Sequence, residues 1–311
     1  MILRNHIFNI IFMVFCLSLS SFADTQVSAN DFILDVDKVH ALQNFGKTEF
    51  LFVDVRSSEA YSKGHIEGAI NLQAKHSFNE VGDGTRIASL DQVRKYFSEV
   101  GIRNSDSIII YDDGNLKNAS HVFWLMQTYG HKNARVLNGG FPDWVKNKGK
   151  VSEQSTRRSV SQYTPAISAN HLSSMLTTRL AMKNPNATIV DARIKSHYLG
   201  DKSAAKRFGH ITDAISIPSG HNFVMDGNIK KLKKITELKQ LYKDIEPDNN
   251  VITYCNKGKE SAISYLVMRN LGFNVSVYDG AWLEWGNENN TPITNLKKQN
   301  ALGKWKLNNE N

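Results

Sequence analysis

The chain has 311 residues and only two cysteines, and one of them is expected to be lost on maturation. Cys16 lies in an N-terminal apolar stretch, which leaves Cys255 alone. A single thiol cannot close an internal disulfide, so it is either a small buried hydrophobe or a reactive group. Long hydrophobic runs are equally scarce. Ile7 to Leu17 is apolar but short for a bilayer span, and no other stretch is long enough to cross a membrane. Arg4 and His6 precede that run, and Ser21-Phe22-Ala23 follows it as a small-x-small cleavage pattern, so residues 1–23 read as a signal peptide cut after Ala23. Export is the expectation, into the periplasm if the source is a Gram-negative bacterium, with no stable membrane association after cleavage. No His/Cys spacing points to a metal site, and no Gly-rich phosphate loop appears. Basic residues exceed acidic ones, and loss of Arg4 takes the formal charge from +8 to +7. These residues are spread along the chain without an aromatic-interleaved stripe, which argues against a nucleic-acid partner. A basic surface of this kind also attracts small anions mildly.

What the chain does have is one unit written twice. Phe50 to Arg56 is a buried-strand pattern ending in Asp54-x-Arg56, followed by Gly64-His65-Ile66. Ser107 to Asp113 gives another strand, Asn118 to Tyr129 a helix, and Gly139 to Trp144 closes the unit. The second copy keeps the order: Thr188 to Arg193 with Asp191-x-Arg193, Gly209-His210-Ile211, Val251 to Cys255, a helix over Glu260 to Leu271, and Asp279 to Trp285. Short apolar strands alternating with helical segments predict parallel sheets covered by helices. The fold class is therefore α/β, with two tandem domains, each a mainly parallel sheet flanked by helices. The divisions are residues 24–150 for the first domain, 151–165 for an exposed polar linker, 166–290 for the second domain and 291–311 for a surface tail. Aligning Tyr111 with Tyr254 sets Asp112 opposite Cys255, so the first copy reads as structural and the second as catalytic.

The Cys255 segment has a chemistry of its own. A thiol is a nucleophile as thiolate. A turn of successive backbone N–H groups forms a concavity for an anion, and the N-terminus of the following helix adds partial positive charge. Lys257 and Lys259 add full charges, and Gly258 lets the loop curl. A cradle that holds a thiolate also holds a persulfide, which suits ping-pong transfer of sulfur. In the helix that follows, Ile263, Leu266, Val267 and Leu271 recur at helical spacing and should face the core.

In their order, these motifs resemble the rhodanese family, specifically its tandem-domain thiosulfate and 3-mercaptopyruvate sulfurtransferases. The resemblance covers about Phe32 to Gly286 and rests on the paired Asp-x-Arg and Gly-His-Ile motifs, on Cys255-x-x-Gly258, and on the Gly/Trp closures. It implies an inactive first domain, a catalytic Cys255, no cofactor, a small anionic sulfur donor, and cyanide or a thiol as acceptor. Donor contacts are expected from Asn256, Lys257, Gly258, Lys259, Glu260 and Ser261 of the loop, together with Arg193 and Arg207. Lys257 is similar to the thiosulfate-type loop. Glu260 departs from the family, where Thr or Arg is common, and either opposes an anion or neutralises Lys257 or Lys259. Ser261 is a local hydrogen-bond partner or a helix-start residue, and Arg193 pairs with a nearby carboxylate or binds substrate. His197 stands where relatives often carry a substrate Arg. His65 and His210 read as turn or interdomain residues. A cysteine phosphatase needs an arginine a few residues after the cysteine, and the next one here is Arg269. A non-enzymatic persulfide carrier is the remaining alternative; such a protein would load sulfur but turn over small donors poorly.

Overall fold

The computed structural model describes residues 31–45, 49–82 and 84–297. The expected signal peptide, its cleavage site and Cys16 lie outside the described residues. Each copy of the repeat builds a five-stranded sheet whose paired strands all run parallel. The first has the order Ile33–Leu34, Ala134–Leu137, Ser107–Tyr111, Phe50–Asp54, Ile70–Asn71, and the second Leu172–Ser173, Asn274–Tyr278, Asn250–Tyr254, Ala187–Asp191, Ile215–Ser216. Runs such as Ile108-Ile109-Ile110 and Val251-Ile252 are apolar on both faces because helices cover both faces.

Two helices matter most for the site, Lys117–Thr128 in the first domain and Lys259–Asn270 in the second. They are equivalent in the repeat and pack against each other, which explains why they lack an exposed stripe. Ala119 to Thr128 and Ser261 to Met268 are buried throughout. Ile263, Leu266 and Val267 face the core as the spacing predicts, whereas Leu271 is half-buried at the helix end. Phe123, Trp124, Tyr265 and Leu266 belong to one apolar cluster that runs through both domains, and each side chain so buried contributes about 1.5–3 kcal/mol. The two copies therefore share a core.

Each domain also sends an antiparallel hairpin across to the other, Phe78–Val81 with Gly84–Ile87 in the first and Phe223–Asp226 with Ile229–Leu232 in the second. Ile87 N donates to Asp279 Oδ1 at 2.9 Å, and Leu232 N donates to Asn138 Oδ1 at 2.9 Å, the same bond made twice around a pseudo-twofold axis. Arg86 pairs with Glu284 at 2.8 Å, and Lys231 pairs with Asp143 at 2.9 Å.

Two sequence expectations are refined here: most of the linker is exposed, as expected, but it is anchored at single residues, and the tail starts inside the fold. The linker 151–165 is docked along the first domain: Val151–Ser152 pairs with His65–Ile66, Arg158 bridges to Asp106 at 2.7 Å, and Tyr163 is buried against Phe97. Its polar composition hid these anchors because they are single residues spaced along an extended chain. The tail begins inside the fold as well. Ile293–Thr294 adds an antiparallel strand to His210–Ile211, and Thr291 is buried; the tail beyond 297 lies outside the described residues.

Candidate active site

The Asp-x-Arg and Gly-His-Ile motifs form a clamp beneath the loop. Asp191 ends a central strand beside Tyr254. Arg193 holds it with Nε at 2.9 Å and Nη2 at 2.6 Å, and Nη2 also donates to Gly209 O at 2.8 Å. Tyr254 Oη donates to Asp191 Oδ2 at 2.7 Å and accepts from Ile211 N at 3.1 Å. The guanidinium lies over the Trp282 ring at 4.2 Å. Burial works against the charge on Arg193, but the Asp191 pairing outweighs it and its pKa is raised. The first domain repeats this with Asp54, Arg56, Gly64, Ile66 and Tyr111. His65 and His210 stack on Tyr61 and Tyr198 at 3.7 Å, with each Nδ1 bonded to that tyrosine's carbonyl.

Cys255 follows directly from Tyr254 and is 1% exposed. The helix Ala281–Asn287 fixes the outer side of the loop: Trp282 N donates to Cys255 O at 2.8 Å, and Leu283 N to Asn256 O at 3.3 Å. With these carbonyls turned outward, the amides turn in. Gly258 N donates to Cys255 Sγ at 3.0 Å, and the buried Ser261 Oγ reaches Sγ at 3.5 Å while donating to Gly258 O at 2.9 Å. Gly258 sits at φ +98°, where a side chain is strained, and opens the 12-residue helix whose N-terminus points at the sulfur.

The remaining loop residues divide by what they touch. Lys257 is exposed, and its carbonyl accepts from Thr85 Oγ1 of the first domain's hairpin at 2.6 Å. Lys259 Nζ lies 4.7 Å from the Phe78 ring centroid, an ammonium resting on an aromatic face of that hairpin. Asn256 meets His197, whose pKa is lowered by burial first and then by Arg193. Glu260 pairs with Lys117 at 3.1 Å. Burial pushes its carboxyl up, yet Lys117 and a hydrogen bond with Cys255 outweigh that and hold it below the usual range.

Two expectations need correction and one is narrowed. The loop in its resting form does not produce a ready thiolate: burial, then the Glu260 charge, push the Cys255 thiol up to about 11, against the opposing pull of Ser261 and the loop amides. Arg193, read from sequence as either a carboxylate partner or a donor contact, takes the first role through Nε and Nη2, while its buried Nη1 has no partner. Arg207 is held elsewhere: its guanidinium caps the end of the helix Ala281–Asn287, donating to the carbonyls of Trp285, Glu288 and Thr291. It lines a cleft of about 600 Å³ with Lys206, Phe208 and Ile293 that does not include Cys255. Lys117, Thr85 and Phe78 were not singled out from sequence because they belong to the other copy. No local pattern marks them: the repeat aligns Lys117 with Lys259, the first residue of each helix, and not with Glu260.

The first domain's loop shows what the same backbone does without sulfur. Asp112 accepts from Gly114 N at 2.9 Å, Leu116 N at 3.2 Å and Ala119 N at 3.2 Å, so its carboxylate fills the amide cradle. Complete burial nevertheless pushes that carboxyl up to about 6, against those amides.

Comparison with known proteins gives concordant results. The family model described as Rhodanese-like domain matches residues 35–147 and 176–288. The "Putative thiosulfate sulfurtransferase" of Saccharopolyspora erythraea is 30% identical over 279 residues, covering 84% of this chain and 96% of that protein. The "Thiosulfate sulfurtransferase" of Pseudomonas aeruginosa is 29% identical over 275 residues, covering 85% and 98%. Among solved structures, an anaerobic ergothioneine biosynthesis enzyme from Chlorobium limicola superposes with a TM-score of 0.74 at 20% identity, covering 85% of this chain and 70% of that one. The crystal structure of YnjE gives 0.73 at 21%, covering 85% and 68%. At those identities the solved structures speak for the fold. Among the described residues, no helix is long and apolar enough to cross a membrane.

Proposed function

Because the chain belongs to the rhodanese family, with two rhodanese-like domains in tandem, we propose that it is an exported thiosulfate sulfurtransferase working through a Cys255 persulfide. The observation that carries this is Cys255 Sγ facing the Gly258 amide and the Ser261 hydroxyl at a helix N-terminus, with Lys257 at the surface beside it. The Cys255 thiol first yields its proton to solvent, and the thiolate so formed attacks the outer sulfur of thiosulfate. The S–S bond of the donor breaks, sulfite leaves with the bonding pair, and Cys–S–S⁻ remains in the cradle. Cyanide or a thiolate then attacks the terminal sulfur and leaves as thiocyanate or a new persulfide, returning the Cys255 thiolate. Gly258 N–H, the helix N-terminus and the lysines stabilise the anion at each stage. Export rests on the pattern of residues 1–23, and a periplasmic location follows if the source is Gram-negative.

A second reading, 3-mercaptopyruvate as donor, draws on one observation: Glu260 stands beside the thiol and opposes a dianion more than a monoanion. Steady-state kcat/KM for both donors with cyanide as acceptor separates the two. Wild type should prefer thiosulfate. Lys257→Ala should lose about 1–2 kcal/mol for thiosulfate, toward the low end for a charge-assisted contact because the ammonium is exposed and screened, and less for mercaptopyruvate. A wild-type preference for mercaptopyruvate, or equal losses, promotes the second reading.

A further inference from the structure

The structure assigns to the inactive domain a part in donor choice: we propose that Lys117 neutralises the Glu260 carboxylate beside Cys255, and so admits an anionic sulfur donor to a loop that would otherwise repel it. The inference rests on the sulfurtransferase reading of Cys255 and identifies what sets the charge of that site.

The geometry is specific. Lys117 opens the first domain's central helix, and Glu260 lies in the first turn of the second domain's. The packing of the two helices brings Lys117 Nζ to 3.1 Å from Glu260 Oε1, 143 residues away in the chain. Glu260 is the charged group that bears on the Cys255 thiol. The cations of its own loop do not take up that charge in the structure: Lys259 rests on Phe78, and Lys257 points to solvent. Around the pair, Lys230 of the second hairpin bears on Lys117 and on Asp112, the buried His121 lies within the field of Lys259, and Arg86 is occupied by Glu284. Lys117 is thus the cation that compensates the carboxylate. Lys117 acts through Glu260 and is a positioning residue, not a catalytic one.

The test is a double-mutant cycle on the full chain with Lys117→Met, Glu260→Gln and the double variant, and with Lys117→Arg as the conservative rescue. Two readouts are taken. The first is kcat/KM for thiosulfate, a dianion, and for 3-mercaptopyruvate. The second, independent of sulfur transfer, is the rate of Cys255 alkylation by iodoacetate relative to uncharged iodoacetamide as a function of pH. An uncompensated like charge next to a titrating group moves it by about one pKa unit, so Lys117→Met should shift the alkylation profile upward by about one unit and lower the iodoacetate preference up to tenfold. It should cost thiosulfate transfer about tenfold and mercaptopyruvate transfer less. Glu260→Gln should shift the profile down, the double variant should behave like Glu260→Gln, and Lys117→Arg should restore wild type. The melting temperature should move little, since a pair about half open to solvent contributes little. A Lys117→Met loss that persists in the double variant, or an alkylation profile and reagent ratio unchanged by Lys117→Met, overturns the proposal. If thiosulfate transfer is absent in wild type, the functional reading fails and the alkylation arm alone decides. If Cys255 resists both reagents and every donor, the two ideas fall together.

Discussion

Asp112 and Cys255 occupy the same place in two copies of one unit, and the difference lies in what fills the cradle of amides. In the first domain a carboxylate takes three backbone N–H groups and closes the loop on itself. In the second, a neutral sulfur takes one amide and one weak hydroxyl contact, leaving room for more negative charge than the resting thiol carries. The first copy stores its anion in the chain. Everything beneath the two loops is held in common, from the Asp–Arg–Tyr clamp to the stacked His–Tyr pairs.

That common foundation yields the largest expected effect. If Arg193 serves the clamp and not the donor, Arg56→Met and Arg193→Met should damage the protein alike. Each leaves a buried aspartate unpaired and should cost about 3–5 kcal/mol in urea unfolding. If only Arg193→Met loses kcat/KM in protein that is still folded, Arg193 belongs to the donor site.

The smallest expected effect lies at Asp112. Asp112→Asn should keep sulfur transfer within about twofold of wild type, because no reacting atom touches that loop. Its stability should respond to pH in a defined direction. Asp112 has a folded pKa raised to about 6 from an ordinary 3.8, so the folded state binds the proton more tightly and its contribution fades as pH rises through that window. Wild type should therefore gain stability relative to Asp112→Asn as pH falls from about 6 toward 4. Thermal melts of both proteins across that range check the sign, and a gap that widens in the opposite direction contradicts the burial argument.

Much of this was legible beforehand, and the exceptions share a cause. The repeat, the parallel sheets and the loop at Cys255 follow from local patterns, because strand apolarity and motif order are written along the chain. The clamp role of Arg193 was readable as one of two options, since Asp191 lies only two residues away. The environment of Cys255 was not. Its burial, the Lys117–Glu260 pair, and the reach of Thr85 and Phe78 across to the loop all depend on how two domains sit against each other. Arg207, expected from the resemblance to touch the donor, differs for a related reason: its partners are carbonyls some 80 residues further on.

The central claim is that sulfur passes through Cys255 and through no other residue. Peptide-resolved mass spectrometry after incubation with thiosulfate tests it most directly, with cyanide added to a second sample. The account predicts a gain of one sulfur atom on the Cys255 peptide in wild type, its loss on adding cyanide, and no gain or turnover in a folded Cys255→Ser protein. Sulfur transfer retained by Cys255→Ser, or a sulfur adduct on wild type at any other residue that cyanide removes, would contradict it.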